Sequence, residues 1–571
     1  MNRADAIGHQ ILWLLAASSL FTGCASTPTA SVTDAGGAGG QRGTGGLSGA
    51  GGVTGNGGTT ASGGANGGGG ARGTGGGAGG AAGQAGAGSG GNRDAGGSTG
   101  SPDAGMADAG GGPPPPPFTG PTVPGTVTVT RGAAMGHLAP GFAGFSFEKT
   151  HMTDSFFTGT NAPLIAMFKL LGPGIVRIGA NDVDASTWVP TATPVAGGQT
   201  SHNIGTVEVD ALAAFLNAAG WKAIYGVSMR TAIQPSVDES VYVTNKLGIT
   251  LHSIEIGNEI NFFANNAVGT PTMQWASFET AIHGALASIP LAGPAAAGAV
   301  TTFTVPFANA EGGKVILLTE HYYKGASSSN PTIAQMLALD TGVVSQSQAL
   351  GAAAQANRIR DGYRWGEMNS YSGHGAAGVS DVFAAALWGI DFMLTTAEYG
   401  AAGVNFHGGG QNMDNNVCAN GVASCTLPFR YSPILEVDSR VTGAAPLFYG
   451  MLLVSQAGTG DMLPTRATAG SLNFTAYTVG LADGTTNVVL VNKDATNGVN
   501  ASIDTGVAVS AASAVFLLAP ALTAKTGITF AGSEVAATGV WNPNAPYTLT
   551  ASGRTVNLVV PPASAVVVHA R

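Results

Sequence analysis

The 571-residue sequence has few cysteines, little charge and no long apolar segment beyond its N-terminus. It has three cysteines and ten histidines, but no HExxH motif and no histidine at ligand spacing from a cysteine, so we predict no metal site. Charged residues make up 10% of the chain, the net charge is −9, and no basic patch is present. This composition argues against nucleic acid as a partner. After the first 23 residues no apolar run is long enough for a membrane-spanning helix.

Residues 1–23 have the features of an export signal, with Arg3 near the front and an apolar core from Ile11 to Phe21. The segment ends in LFTGC, which resembles a bacterial lipoprotein cleavage box with Cys24 as the lipid-modified residue. An ordinary signal peptide with a chance cysteine is the alternative. Ala25-Ser26 resembles the sorting signal of outer-membrane lipoproteins. We therefore expect an extracytoplasmic protein, lipid-anchored to the bacterial outer membrane or cell surface, or else secreted.

Residues 24–117 are predicted to be a disordered Gly-rich linker. Most of the glycine excess over average usage lies between Gly36 and Gly112, and the segment ends in the proline run Pro113–Pro117. Such a sequence cannot bury enough apolar surface to offset the entropy of ordering it. As a flexible coil it would reach about 50 Å, which suits a tether between a membrane and a folded domain.

From Phe118 the composition becomes globular, and strand and helix signals alternate between residues 136 and 440. Eight strands are predicted there, at Phe142–Glu148, Ile175–Ala180, Lys222–Ser228, Ser253–Glu259, Leu291–Ala297, Lys314–Tyr323, Tyr363–Asn369 and Gly403–His407. Helical patterns separate most of them. This alternation predicts an α/β fold, a (β/α)8 TIM barrel.

After about Pro446 the helical patterns stop and short alternating strands follow, which predicts an antiparallel β-sandwich over residues 441–571. The strand Thr126–Arg131, in the segment 118–135, is expected to join this sandwich. The sandwich could act as a scaffold or bind carbohydrate. No row of exposed aromatics is evident, which favours the scaffold.

Polar side chains end the predicted barrel strands, at the rim where TIM-barrel active sites lie. They are Glu148, Asn181, Asn258, Glu259, His321, Tyr322, Tyr323, Glu367 and His407, of which all but Glu259, His321 and Glu367 are expected to bind the substrate. A single strand-end glutamate could simply pair with a neighbouring Lys or Arg. Two of them, Glu259 and Glu367, suggest an acid/base pair.

Cleavage of a glycosidic bond needs one protonated and one ionised carboxyl group. We assign Glu259 as the acid/base and Glu367 as the nucleophile, and expect them to titrate as a coupled pair. Asn258 is placed to contact the substrate 2-OH. One of Tyr322 and Tyr323 is expected to orient Glu367, although packing at the barrel rim would also explain these tyrosines.

Cys418 and Cys425 lie seven residues apart in a loop rich in Asn and Gly. In an exported protein the default for such a pair is a disulfide, which would fix this loop beside the barrel mouth. Metal binding is the alternative.

Several segments together resemble the β-glucuronidase/heparanase family of retaining glycoside hydrolases (family seventy-nine, clan A). They are GFSFE at Gly144–Glu148, RIGAND at Arg177–Asp182, EIGNE at Glu255–Glu259, HYY at His321–Tyr323, GEMNS at Gly366–Ser370, the helix Gly378–Phe392 and GVNFHGG at Gly403–Gly409. The resemblance implies that Glu259 is the acid/base, that Glu367 is the nucleophile and that Glu148 contacts sugar hydroxyls. It implies a uronic-acid-containing glycan substrate and no metal or organic cofactor.

The loop after the nucleophile departs from the family pattern. Members acting on glucuronic acid bind its carboxylate there with a Tyr and backbone N–H groups, whereas here Tyr371 comes one position early and His374 replaces a Gly. The backbone around Gly373 could still cradle a carboxylate, and His374 could add positive charge below about pH 6.5. Ala180 also stands where the pattern has Gly.

Three functional hypotheses follow. The first is a monomeric, exo-acting retaining β-glucuronidase. The second is a clan A glycosidase for a neutral sugar such as xylose or galactose. The third is a non-catalytic glycan-binding surface lipoprotein, against which the retention of both glutamates argues.

Overall fold

The computed structural model describes residues 112–193, 200–409 and 429–571. The predicted signal segment, Cys24, the predicted disulfide Cys418–Cys425 and the linker up to residue 111 lie outside the described residues. The last six linker residues, 112–117, are described. Thr548 donates hydrogen bonds to two of their carbonyl oxygens, from Oγ1 to Gly112 (2.8 Å) and from N to Pro113 (3.0 Å). The prediction that the disordered linker extends to Pro117 is therefore wrong, because its C-terminal end is hydrogen-bonded to the folded part.

The described residues form 25 β-strands. They are β1 (Thr122–Val129), β2 (Gly136–Leu138), β3 (Ala143–Glu148), β4 (Ile175–Gly179), β5 (Thr187–Trp188), β6 (Asn203–Ile204), β7 (Lys222–Val227), β8 (Leu251–Ile256), β9 (Leu291–Ala297), β10 (Leu317–Ala326), β11 (Tyr363–Ser372), β12 (Ala401–His407), β13 (Ile434–Val437), β14 (Arg440–Ala444), β15 (Gly460–Leu463), β16 (Thr465–Thr468), β17 (Phe474–Gly480), β18 (Thr486–Asn492), β19 (Gly498–Asp504), β20 (Ala512–Leu518), β21 (Thr529–Phe530), β22 (Tyr547–Leu549), β23 (Ala551–Ser552), β24 (Thr555–Val560) and β25 (Ser564–Ala570).

The same residues form ten α-helices. They are α1 (Ala162–Leu170), α2 (Asp182–Ala185), α3 (Thr206–Ala219), α4 (Ile233–Leu247), α5 (Pro271–Ala285), α6 (Val305–Glu311), α7 (Ile333–Leu337), α8 (Thr341–Ala356), α9 (Phe383–Glu398) and α10 (Pro446–Gln456). Among the helices described, none combines the length and the apolarity needed to cross a bilayer.

Eight parallel strands close into a barrel, in the chain order β3, β4, β7, β8, β9, β10, β11 and β12. The predicted (β/α)8 fold is thus confirmed, and the fifth strand has the predicted bounds Leu291–Ala297. An apolar layer that includes Ile224, Ala292 and Leu317 fills one level of the barrel. The inward side chains Arg177 and Glu255 are fully buried and form an ion pair across the interior. The barrel interior is therefore a packed core with a charged layer beneath the rim.

The sandwich consists of a five-stranded sheet (β16-β1-β19-β24-β23) and an eight-stranded sheet (β2-β15-β17-β18-β25-β20-β21, with β22 beside β20). Strand β1 joins it as predicted, although it pairs with β19 in parallel. Strand β2 also joins it, so the barrel segment begins after Leu138 rather than at residue 136. The prediction that helices stop at Pro446 is wrong: Pro446–Gln456 is the helix α10, which packs against α9 through the close contact of Gly450 with Ala386.

The eight-stranded sheet is covered on both faces. Val488 and Leu490 of β18 face the five-stranded sheet, whereas Val489 and Val491 face the main core with the barrel helices. Such two-sided burial explains the continuous apolar run of β18. Asp391 on α9 accepts hydrogen bonds from Thr475 and Tyr477 and pairs with Lys493, all on the sandwich. This extensive contact fits the predicted scaffold role.

Candidate active site

Glu259 and Glu367 meet at one rim of the barrel, where Glu259 lies just after β8 and Glu367 lies within β11. One carboxylate oxygen of Glu259 lies within 4.8 Å of one carboxylate oxygen of Glu367. A ring nitrogen of His321 lies within the same distance of both. Glu367 is 5% exposed as a residue, whereas 25% of the Glu259 side chain is accessible. The separation fits the ~5–5.5 Å between the carboxyl groups of retaining glycosidases rather than the ~6.5–9.5 Å of inverting ones.

The backbone after β8 turns sharply to bring Glu259 to the rim. Gly257 and Glu259 both have left-handed φ values, 78° and 49°. Three successive N–H groups fix this turn: Gly257 donates to Val227 O (2.8 Å), Asn258 to Asp184 Oδ2 (3.1 Å) and Glu259 to Ala295 O (2.7 Å). A left-handed conformation costs a non-glycine residue roughly 1–2 kcal/mol, and such strain is concentrated at functional sites.

Arg177 connects the residues of the site from beneath. Its side chain has no exposed surface. It donates from Nε to Glu255 (2.6 Å), from Nη1 to Glu367 (2.9 Å) and from Nη2 to Asn258 Oδ1 (2.9 Å). No role for Arg177 was predicted from the sequence. The signal was nevertheless present, because a charged residue inside the apolar strand IVRIG needs a buried partner, and Glu255 inside HSIEI is one.

These contacts keep Glu367 ionised. Burial alone would raise the pKa of Glu367, but His407, His321, Arg177 and the Tyr323 hydrogen bond together lower it to about 2. Burial lowers the pKa of His407 itself, so its contribution falls as the pH rises, whereas the Arg177 guanidinium, whose pKa is raised by Glu255 and Glu367 against the effect of burial, stays charged. A carboxylate ionised across the working pH range is what a nucleophile requires.

The two adjacent tyrosines of β10 point in opposite directions. Tyr323 donates to Glu367 Oε1 (2.9 Å). Tyr322 instead packs against Trp365 and Phe392 and donates to Asp340. Successive side chains of a strand face opposite sides, so only one of the two can reach the barrel mouth. The structure therefore assigns the orienting role to Tyr323, and the prediction that Tyr322 binds substrate is wrong.

The Tyr323→Phe variant is expected to lower kcat by about 10- to 100-fold. A hydrogen bond to a charged group contributes about 1.5–3 kcal/mol, and the lost donor leaves one oxygen of Glu367 unsatisfied. Tyr322→Phe is the matched control, since it also deletes one buried hydroxyl from the same strand. We expect the control to lose thermal stability but to keep kcat within about twofold. Equal kcat losses in both variants would contradict the assignment.

His321 lies between the two carboxylates. Its Nδ1 is 3.2 Å from Glu259 Oε1 and 4.0 Å from Glu367 Oε2, and its side chain is fully buried. The sequence analysis placed it at a strand end without giving it a role. Glu259, His321 and Glu367 also have a spacing at which a cation could be held. Glu367 already accepts hydrogen bonds from Arg177 and Tyr323, which favours an acid/base site over a metal site.

Glu148 and His407 form the side of the site at β3 and β12. His407 Nε2 is 3.8 Å from Glu148 Oε1, and Asp182 N donates to Glu148 Oε2 (2.8 Å). Burial, followed by the charges of Asp182 and Glu367, raises the pKa of Glu148 well above its usual range. A carboxyl group in this state could donate a hydrogen bond to a sugar hydroxyl as well as accept one. Asn181, exposed at the rim, accepts from Asn258 Nδ2 at 3.4 Å.

The loop after β11 is held open by three consecutive left-handed residues, Gly373, His374 and Gly375. The His374 ring stacks on Phe429 at 4.3 Å, and Phe429 is edge-on to His407 at 5.7 Å. His374 is therefore connected to the site through one intervening ring. Ala180, which stands where the family pattern has Gly, is also left-handed (φ 59°), so that expectation has a conformational basis.

Tyr371, which was predicted to bind the substrate, is buried. Its ring lies along Gly325, and burial followed by the charge of Asp340 raises its pKa. Within the described residues no hydrogen bond joins it to Glu259 or Glu367. Another tyrosine, Tyr431, lies 6.1 Å from the Tyr323 ring and 6.0 Å from His407. Sequence reasoning missed Tyr431 because it follows a long loop and belongs to no barrel strand.

A parallel eight-stranded barrel with paired carboxylates on its fourth and seventh strands has the parts that cleavage of a glycosidic bond requires. No protein-family model matches the chain, and no curated protein matches it significantly in sequence.

Solved structures are similar to it. A 4-O-α-L-rhamnosyl-β-D-glucuronidase from Fusarium oxysporum 12S has a TM-score of 0.62 at 19% identity, over 78% of this chain and 99% of that one. The GH51 arabinofuranosidase from Xanthomonas axonopodis pv. citri has a TM-score of 0.56 at 15% identity, over 79% and 100%. These neighbours are glycoside hydrolases with a clan A-like barrel, and at such identities the likeness shows the shared fold.

Proposed function

We propose that the protein is a retaining, exo-acting β-glucuronidase that works by double displacement. The observation that carries this proposal is the geometry of Glu259 and Glu367, with oxygens within 4.8 Å of each other and different surroundings. Glu367 is buried against Arg177, whereas Glu259 is partly open to the barrel mouth. Two carboxyl groups in contrasting environments can take the roles of nucleophile and acid/base.

In the first step a Glu367 oxygen attacks C1 of the sugar while the bond from C1 to the leaving oxygen breaks. Glu259 gives its proton to that oxygen. In the second step a water oxygen attacks C1, its proton passes to Glu259, and the ester bond to Glu367 breaks. Asn258, oriented by Arg177, would hydrogen-bond the 2-OH, a contact that strengthens in the oxocarbenium-like transition state.

Glucuronic acid is the proposed sugar for three reasons. The segments around both glutamates resemble the β-glucuronidase/heparanase family. A structural neighbour is named as a rhamnosyl-glucuronidase. The loop Gly373–Gly375 contains two glycines that allow close approach of a ligand to the backbone, and His374 between them could pair with a carboxylate. Tyr371 gives no support, because its ring lies on the side of Asp340.

The test is a comparison of p-nitrophenyl β-glucuronide with the matching β-glucoside and β-xyloside. We expect kcat/KM for the glucuronide to exceed the values for the glucoside and the xyloside by at least about 100-fold. The two neutral sugars have no carboxylate, so they would leave the polar groups that bind it without a partner. His374→Gln should lower kcat/KM for the glucuronide about tenfold and change the glucoside rate little, because only the glucuronide has a carboxylate to lose.

Two other outcomes would decide against this proposal. A preference for the xyloside or for a β-galactoside would favour the neutral-sugar glycosidase. Binding of glycans without turnover of any glycoside would favour the non-catalytic surface protein. The paired carboxylates argue against the second, because a binding protein gains nothing from two buried acidic groups that must be desolvated.

A further inference from the structure

Large apolar side chains are exposed in the loop that directly follows Glu259. Phe262 is 44% exposed and Val268 46%, and Met273 on the adjoining helix α5 is 55% exposed. Phe262 N donates to Glu259 O at 2.9 Å, so its backbone is one hydrogen bond from that of the acid/base residue. We call residues 260–270 the Phe262 loop. An exposed apolar group beside a catalytic acid indicates a binding surface.

The first residues of the Phe262 loop are fixed on both sides. Asn261 exchanges hydrogen bonds with the backbone of Ala297, at the end of β9 (2.9 and 3.1 Å). Two residues further on, the Phe263 ring lies under the guanidinium of Arg230, 3.8 Å from the ring centre, beyond the end of β7. The loop therefore crosses the rim above β8, where Glu259 stands.

The outer part of the loop is also tied down. Asn266 and Gly269 exchange two backbone hydrogen bonds, each 3.0 Å, and Asn266 Nδ2 donates to Gln274 Oε1 (2.6 Å). Gln274 in turn donates to Met229 O (2.8 Å). A surface that is ordered before binding loses less conformational entropy when a ligand arrives.

The chemistry of the loop indicates its ligand. Residues 260–274 contain no charged side chain. We propose that the Phe262 loop is a leaving-group site that takes a neutral aryl, or phenolic, aglycone against the Phe262 ring. This inference rests on the proposed function, because a leaving group departs on the side of the residue that protonates it, which is Glu259.

The site is best tested by transfer from the glycosyl-enzyme. An alcohol oxygen attacks C1, the alcohol proton passes to Glu259, and the C1–O bond to Glu367 breaks, so the alcohol occupies the leaving-group site. With p-nitrophenyl β-glucuronide as donor, benzyl alcohol and methanol compete with water for the same intermediate. The ratio of benzyl to methyl product is independent of how fast the intermediate forms and of the amount of folded enzyme.

We expect Phe262→Ala to lower the benzyl-to-methyl ratio by about threefold to tenfold, the range for loss of one aromatic contact. Val268→Asn, on the same loop, should lower it in the same direction. Ile249→Ala is the matched control, since Ile249 is 88% exposed but precedes β8 at the opposite end of the barrel, and it should leave the ratio unchanged.

If Phe262→Ala and Val268→Asn both hydrolyse the glucuronide with an unchanged benzyl-to-methyl product ratio, the aryl site is wrong and the proposed function is unaffected. An equal fall for benzyl and methyl transfer would also overturn the aryl site, because it would show a loss of general positioning. If the wild-type protein hydrolyses none of the p-nitrophenyl glycosides, both the aryl site and the proposed function are wrong.

Discussion

Glu367→Ala is expected to lower kcat on the order of 10⁵-fold, because no other group can form the glycosyl-enzyme. Removing this side chain also leaves an empty space above Arg177, which loses one of its two carboxylate partners and keeps Glu255, and a small anion fits there. Azide should therefore restore turnover. Since azide would attack C1 from the side that Glu367 occupied, the product should be the α-glycosyl azide, which chromatography and NMR can identify.

Glu398→Ala is the control for losing a half-buried carboxyl group. Glu398 lies on α9, and burial raises its pKa to about 7. Glu398→Ala should change kcat by less than about twofold, and azide should not alter the turnover of this variant. If Glu367→Ala keeps appreciable activity without azide, or if azide yields the β-anomer, Glu367 is not the nucleophile.

The positions of the two glutamates could be predicted from the sequence because each ends a recognisable strand. In a closed parallel barrel all strands finish at one rim, so residues at strand ends come together however far apart they lie in the chain. This reasoning brought Glu148, Asn258 and His407 to the site together with the pair. It needed only the periodicity of the strands and no knowledge of side-chain orientation.

Orientation is what the sequence left open. Tyr322 and Tyr323 are adjacent and chemically identical, and only the register of β10 decides which one faces Glu367. Tyr371 lies near the end of β11, whose pairing is irregular, so its direction could not be inferred from alternation alone. Tyr431 comes from outside the barrel strands, and no local pattern could have connected it with the site.

Arg177 illustrates a signal that was present but unused. Two opposite charges, Arg177 and Glu255, occupy inward positions of strands that are otherwise apolar, and each would be costly without the other. Their pairing supports the whole arrangement, because the same guanidinium reaches Glu367 and Asn258. Searching apolar strands for complementary buried charges would have found this residue.

Glu259→Ala is expected to show a loss of activity that depends on the leaving group. For an unactivated aglycone, such as a second sugar, kcat/KM should fall by about 10³- to 10⁴-fold, within the range of general acid catalysis. For 2,4-dinitrophenyl β-glucuronide, which departs without a proton, the first step should be nearly unaffected. Hydrolysis of the intermediate then becomes limiting, because water lacks its base, and a burst of dinitrophenol should precede slow turnover.

Azide separates the roles of the two glutamates by stereochemistry. Azide needs no base, so it should intercept the accumulated intermediate of Glu259→Ala and give the β-glycosyl azide, the opposite anomer from Glu367→Ala. The same anomer from both variants, or equal losses for activated and unactivated substrates, would contradict the assignment of Glu259, since only a proton donor makes the rate depend on the basicity of the leaving group.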